Sequence, residues 1–89
     1  MSKPYKDIKI ENFIIRKFNS SLQETDLKWH RDDSNRKITI LAGNNWKFQL
    51  DNNIPFNLQK GKTYVIETKI WHRLIKGDDN LIIKIEEIQ

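Results

Sequence analysis

Histidine occurs twice in the 89-residue chain, both times in the same company: Trp29-His30-Arg31 and Trp71-His72-Arg73. A neutral imidazole offers a nitrogen lone pair to a metal ion near physiological pH. Asp32 follows His30 at a spacing of two, so in an extended chain both side chains leave one face, their Cα atoms about 6.5–7 Å apart. Two imidazoles and one carboxylate are the ligand set of non-haem Fe(II) sites, and the same trio suits Zn, Mn, Ni or Co. The chain has no cysteine, which removes thiolate ligands, a thiol nucleophile and disulfides, so any metal must be held by nitrogen and oxygen. The alternative for each histidine is an interior imidazole satisfied by a backbone carbonyl or, for His30, by Asp32.

Arg36 divides the readings. Beside a metal it grips a substrate carboxylate or phosphate through paired N–H donors, and it is the residue to which a catalytic role is assigned here. Against Asp32 it only neutralises that carboxylate and makes it a poorer ligand. Gln49 is a second candidate for contact with a ligand or water; its other reading is an exposed strand glutamine. Three glycines, at positions 43, 61 and 77, cannot write a phosphate-binding loop or a dinucleotide fingerprint. The paired Asp78 and Asp79 lack the spacing of an EF-hand and read as a solvated turn.

The elements that must position these residues are strands. Short runs enriched in Ile, Phe, Trp, Tyr, Val and Thr occur at 8–10, 12–18, 27–32, 36–41, 46–50, 62–67, 71–75 and 81–88, which is a β pattern. Between them lie clusters of Asn, Asp, Ser and Gly that favour turns. Their spacing of roughly 8–12 residues is that of a sandwich or small barrel. Residues 21–26 allow one helical turn at most, and the strand–helix alternation of a parallel sheet is missing. Asp32-Asp33-Ser34-Asn35 has the composition of a tight hairpin. With Ile38 and Ile40 inward, Arg36 faces inward too and stands across that hairpin from Asp32. Alternation of Ile70, His72 and Leu74 turns His72 inward and sends Trp71 and Arg73 outward; Trp29 likewise faces away from His30, toward another sheet or a dimer contact.

Composition narrows the setting. At 37% hydrophobic and 31% charged residues, with a mean hydropathy of −0.74, no stretch approaches the ~20 apolar residues of a membrane span. The start of the chain, residues 1–7, is polar and shows no export leader, so a cytoplasmic location is expected. Sixteen basic against twelve acidic residues give a net charge of +4, spread along the chain, which serves solubility first. A pI of 9.4 and nine aromatic residues raise a single-stranded nucleic-acid-binding barrel as a minor alternative. Against it, Lys47 lies on the opposite strand face from Trp46 and Phe48, so nucleic acid is not the expected partner and a small-molecule ligand is.

At the histidines the chain resembles the cupin superfamily. The first cupin motif runs G-x5-H-x-H-x3,4-E-x6-G, and His30, Asp32, Arg36 and Gly43 occupy its second to fifth named positions at correct spacing. The second runs G-x5-P-x-G-x2-H-x3-N, where Gly61 and His72 fall in register. Glu24, Asp32, Arg36, Glu67, Lys69 and Lys76 replace the remaining named residues, so four of ten positions match. The resemblance spans 24–76 and implies one domain over 1–89, a small antiparallel jelly-roll β-barrel with metal ligands projecting into it. It makes His30 and His72 the imidazole ligands of a divalent ion (Fe, Zn, Mn or Ni) and sets Asp32 where a third ligand stands. Arg36 cannot replace the cupin glutamate, because a guanidinium keeps its proton and has no acceptor lone pair. The resemblance also implies a homodimer. The function expected is a cupin-like protein that binds one divalent metal, with a mononuclear enzyme acting on a small anionic substrate as its catalytic form; the alternative is a non-catalytic small-molecule-binding or structural barrel without metal.

Overall fold

In the computed structural model, which describes residues 3–88, the chain forms eight strands and a single 3-10 turn, Glu24–Asp26. Met1 and Ser2, from the polar start of the chain, and Gln89 lie outside the described residues. The strands are β1 (Tyr5–Ile10), β2 (Phe13–Phe18), β3 (Asn35–Ala42), β4 (Lys47–Leu50), β5 (Phe56–Asn57), β6 (Thr63–Ile66), β7 (His72–Ile75) and β8 (Leu81–Ile88). Five of them form one sheet in the order β1-β2-β8-β3-β6 and three form a second in the order β5-β4-β7. All pairings are antiparallel. This is the jelly-roll architecture expected, with sheets that face one another without closing completely. Among the described residues no helix is long and apolar enough to cross a membrane.

Strand alternation builds the core. On β8, Leu81, Ile83 and Ile85 are buried while Ile82, Lys84 and Glu86 are only half-buried; on β3, Ile40 is buried and Lys37 and Leu41 are exposed. The first sheet contributes Phe18, Ile40, Ile66, Leu81, Ile83 and Ile85, and the second contributes Phe48, so the two inner faces share one apolar filling. Trp46, just before β4, is fully buried, and its indole N–H donates to the Asp79 carbonyl at 2.7 Å. Burying such a side chain stabilises by roughly 1.5–3 kcal/mol. Asp79 also accepts from the Asn44 backbone and side-chain amides, at 2.7 and 2.8 Å, so the Asp78-Asp79 turn ties the loop before β4 to the loop before β8. The two glycines that matched the cupin motifs, Gly43 and Gly61, have φ of 137° and 84°, where a Cβ is penalised.

Two expectations change. Residues 27–32 are not a strand: one isolated bridge, between His30 and His72, joins them to β7. Asp32–Asn35 is consequently a corner and not a hairpin, carrying the chain from the smaller sheet to β3 of the larger one. The ladder stops because the Asp32 carbonyl is taken by the turn before β7, accepting from Lys69 N at 2.7 Å and Thr68 Oγ1 at 3.1 Å. Thr68 N in turn donates to Asn35 Oδ1 at 2.7 Å. The sequence also hid β5, whose two residues follow Pro55 and pair with Lys47 and Phe48. Proline interrupts the donor pattern by which a strand announces itself.

Candidate metal centre

The antiparallel bridge brings the histidines together. His30 N donates to the His72 carbonyl at 2.9 Å and His72 N donates to the His30 carbonyl at 2.8 Å. Residues directly opposite in such a pair put their side chains on one face, and the rings meet edge to face with centroids 4.3 Å apart. The same register crosses the flanking residues. The Arg73 guanidinium lies 5.0 Å from the Trp29 ring and the Arg31 guanidinium 5.1 Å from the Trp71 ring. Each Trp-His-Arg triplet thus runs against the other reversed: His72 is buried, whereas His30, expected inward, lines the cavity but stays exposed, and both indoles are exposed, in agreement with the expected outward tryptophans.

Backbone carbonyls fix the ring nitrogens. His72 Nδ1 lies 2.8 Å from the Ile70 carbonyl and His30 Nδ1 lies 3.1 Å from the Lys28 carbonyl. A carbonyl only accepts, so each Nδ1 carries hydrogen and the Nε2 of each neutral ring is the bare nitrogen. The two Nε2 atoms face one another at 3.0 Å. Two lone pairs at that distance repel unless a cation stands between them or one ring is protonated. Asp32 Oδ2 lies 3.5 Å from His72 Nε2, and ligand atoms of His30, Asp32 and His72 all fall within 4.8 Å of one another.

This donor set fits a divalent ion. Metal–imidazole bonds are about 2.0–2.1 Å long, and two such nitrogens at right angles stand about 2.8–3.0 Å apart, against about 3.3–3.4 Å at a tetrahedral angle. The separation therefore matches neighbouring corners of the six-coordinate sites that two histidines and a carboxylate form on one face. Carbonyls bonded to the remote ring nitrogen are the usual device for orienting such ligands.

Electrostatics favour a bare nitrogen on His72. The ring is 3% exposed and stacks on Phe48, with centroids 5.2 Å apart and planes at 28°. Burial is the largest influence and pushes its pKa below the ordinary imidazole value, helped by His30 and Arg36, while the Ile70 carbonyl and Asp32 push it upward. Protons therefore compete weakly for this nitrogen.

Arg36 enters the same space. Its Nη1 lies 3.5 Å from Asp32 Oδ1, close as expected, though four residues along a corner rather than across a hairpin. Its Nε is buried and lacks a hydrogen-bond partner among the described residues. The expected contact between Gln49 and the cavity is corrected. Phe48 takes the inner face of β4, so alternation sends Gln49 to the outer face, where it accepts from Arg73 Nε at 2.9 Å and donates to the Asn53 carbonyl at 3.0 Å. The contact of Phe48 with His72 has no local sequence signal; it comes from the β4–β7 register, which pairs Leu50 with His72 and Phe48 with Leu74.

His30, Asp32, Arg36 and His72 line one end of a cavity of about 420 Å³, whose remaining wall is mainly apolar, including Ile40, Phe48, Leu58 and Ile83. That is the size and character of small-molecule pockets, ~300–1,000 Å³.

The same architecture recurs in solved structures. A cupin 2 conserved barrel domain protein of Leptotrichia buccalis superimposes with a TM-score of 0.72 at 22% identity, over 96% of this chain and 40% of that one. An RmlC-like cupin family protein of Methanocaldococcus jannaschii, with a double-stranded β-helix fold, gives 0.67 at 15% identity, over 97% and 82%. HppE, solved in its Fe(II) form with an alternative substrate, gives 0.66 at 15% identity, over 94% of this chain and 48% of that one. No protein-family model and no curated protein matches the chain. The fold is that of the cupins.

Proposed function

From a cupin fold with His30, Asp32 and His72 aimed at one point inside it, we propose that the protein binds one divalent metal ion and acts on a small anionic molecule in the adjoining cavity. The observation that carries this reading is the 3.0 Å approach of two Nε2 atoms whose Nδ1 partners are committed to backbone carbonyls. Iron, zinc, manganese and nickel all suit the donor set, and the Fe(II) of HppE supports iron among them. A bound ion would supply Lewis-acid polarisation and open positions for water or substrate. The chain's own residues do the remaining work. Phe48 and the apolar wall exclude water, the Ile70 and Lys28 carbonyls hold the rings, and Arg36 orients the anionic group.

Elemental analysis tests the reading, applied to wild type, His30→Ala and His72→Ala after incubation with each metal and desalting. About one equivalent in wild type and little in either variant is the expected result; equal, negligible metal in all three rejects the site.

A second reading has one observation in its favour, the 3.5 Å contact of Arg36 with Asp32. An arginine so close competes for the carboxylate, and a non-catalytic binding barrel without metal would keep that pair. Stabilisation by a ligand that persists undiminished in chelator supports this second reading.

A further inference from the structure

Among the charged groups of the cavity wall, Arg36 is set apart by a buried donor without a partner; Lys28, which also makes no ion pair among the described residues, is exposed and solvated. Arg16 is held by two hydrogen bonds to Asp7, at 2.8 and 2.9 Å, with its guanidinium 3.6 Å from the Tyr5 ring centroid. The Asp26 carboxylate accepts from Gln23 N at 3.0 Å. Among the described residues Arg36 has only the Asp32 contact at 3.5 Å, longer than a hydrogen bond, and its Nε is buried without a partner. Glu87, opposite Arg36 in the β3–β8 ladder, is exposed, and among the described residues makes no ion pair with it. A donor buried on a cation is costly to leave unmade, so the unpaired edge marks where a ligand's acceptor belongs.

The shape of that acceptor follows from the guanidinium. Its N–H groups form a planar fork that matches two oxygens of one planar anion. With Nη1 turned to Asp32, the Nε edge remains, and it matches a single carboxylate better than a dianion that needs donors on several sides. The strand partners of this stretch are Ile66 opposite Arg36 and Tyr64 opposite Ile38, and both line the cavity with Phe48 and Leu74. Additional polar groups on a ligand body would find few partners among them.

We propose that the cavity takes a monocarboxylate with an apolar body, its carboxylate on the Nε edge of Arg36 and its body against Ile38, Phe48, Tyr64 and Ile66. This rests on the preceding reading only in setting the carboxylate beside a metal ion. It makes Arg36 the residue that selects for charge and the β3–β6 wall the surface that selects for an apolar chain.

The test uses calorimetric titration of the full chain with hexanoate, octanoate and 3-phenylpropanoate, each against its primary amide, and with octylphosphonate. Metal content is measured on the same samples, loaded and chelated. Wild type should bind each acid roughly tenfold or more tighter than its amide. Arg36→Gln should lose that preference while keeping its metal, and Arg36→Lys should retain part of it; circular dichroism verifies that both variants fold. The proposal is overturned if wild type binds acid and amide alike or binds neither, if Arg36→Gln keeps the preference, or if octylphosphonate binds more tightly than octanoate. An Arg36-dependent acid preference in protein that takes up no metal even after loading supports this proposal and rejects the metal reading. Metal binding without acid preference does the reverse.

Discussion

Metal should raise the melting temperature of this protein, and the rise should vanish when either imidazole is removed. A ligand that binds only the native state at one hundred times its dissociation constant stabilises by about 2.7 kcal/mol. An unfolding entropy of about 2.1 cal/mol/K per residue gives about 0.19 kcal/mol/K for this chain, so the expected rise is about 14 °C. The two histidines differ in their metal-free baselines. His72 is buried, stacks on Phe48 and donates to the Ile70 carbonyl, so His72→Ala should lose about 1–3 kcal/mol before any metal is added. His30 is exposed, and His30→Ala should stay within about 0.5 kcal/mol of wild type. The informative quantity is therefore the metal-dependent increment, from which the baseline cancels. It should disappear in both variants, and His30→Ala should show that loss at a nearly unchanged metal-free melting point. Asp32→Asn keeps an oxygen but not the charge; a tenfold weaker ion at the same concentration leaves about 1.4 kcal/mol, or about 7 °C. The assay is thermal unfolding by circular dichroism with each metal and again with excess chelator. An undiminished rise in His30→Ala and His72→Ala, or no rise in wild type with iron, zinc, manganese or nickel, refutes the reasoning.

Stability without metal should depend on His72. Its pKa in the folded protein lies below the ordinary value of about 6.5, chiefly through burial, with His30, Asp32 and Arg36 around it. The unfolded chain therefore binds more protons between those two values, and stability rises with pH there. That contribution is complete above about pH 6.5 and is lost as pH falls through the folded value; urea midpoints from pH 5 to 7.5 should show this slope in wild type and a flatter one in His72→Gln. Trp46→Phe should cost about 1 kcal/mol, the bond to the Asp79 carbonyl, whereas Trp46→Ala should cost about 3–5 kcal/mol, a large part of the ~5–13 kcal/mol expected for a chain this long; equal urea midpoints for the two variants would count against the packing described. Gly77→Ala should cost about 1–3 kcal/mol, because an added Cβ would overlap the Asn44 carbonyl and lie 2.6 Å from Trp46 N. Gly61→Ala, where nothing lies within 4 Å and only the φ of 84° matters, should cost about 1–2 kcal/mol, and the ranking is checked by chemical denaturation.

Period-two alternation announced β8, whose inner positions are Leu81, Ile83 and Ile85, and β2 and β3, whose inner faces are apolar apart from Arg16 and Arg36. The site was readable in part for the same reason, since alternation turned Arg36 of β3 and His72 of β7 toward the cavity; His30 and Asp32 reach it from a segment that is not a strand, and His30 stays exposed. What alternation does not encode is which strand lies next to which. The bridge that joins His30 to His72 links positions 42 residues apart, and no local rule specifies such a pairing. The supposed hairpin failed on the same point: Asp32–Asn35 has turn chemistry, but its backbone partners are Thr68 and Lys69. For Gln49 alternation decides between the two readings, because Phe48 claims the inner face of β4 and leaves Gln49 as the outer-face strand glutamine bonded to Arg73 and Asn53.

The mutual bridge between positions 30 and 72 also sets the order in which this pocket comes into being. While a ribosome is still making β6, one of the two rings and the strand that orients it have not been synthesised. A nascent chain at that stage has half a socket, and so does any fragment ending before β7. Capture of the proposed metal would therefore have to wait until β7 has been made.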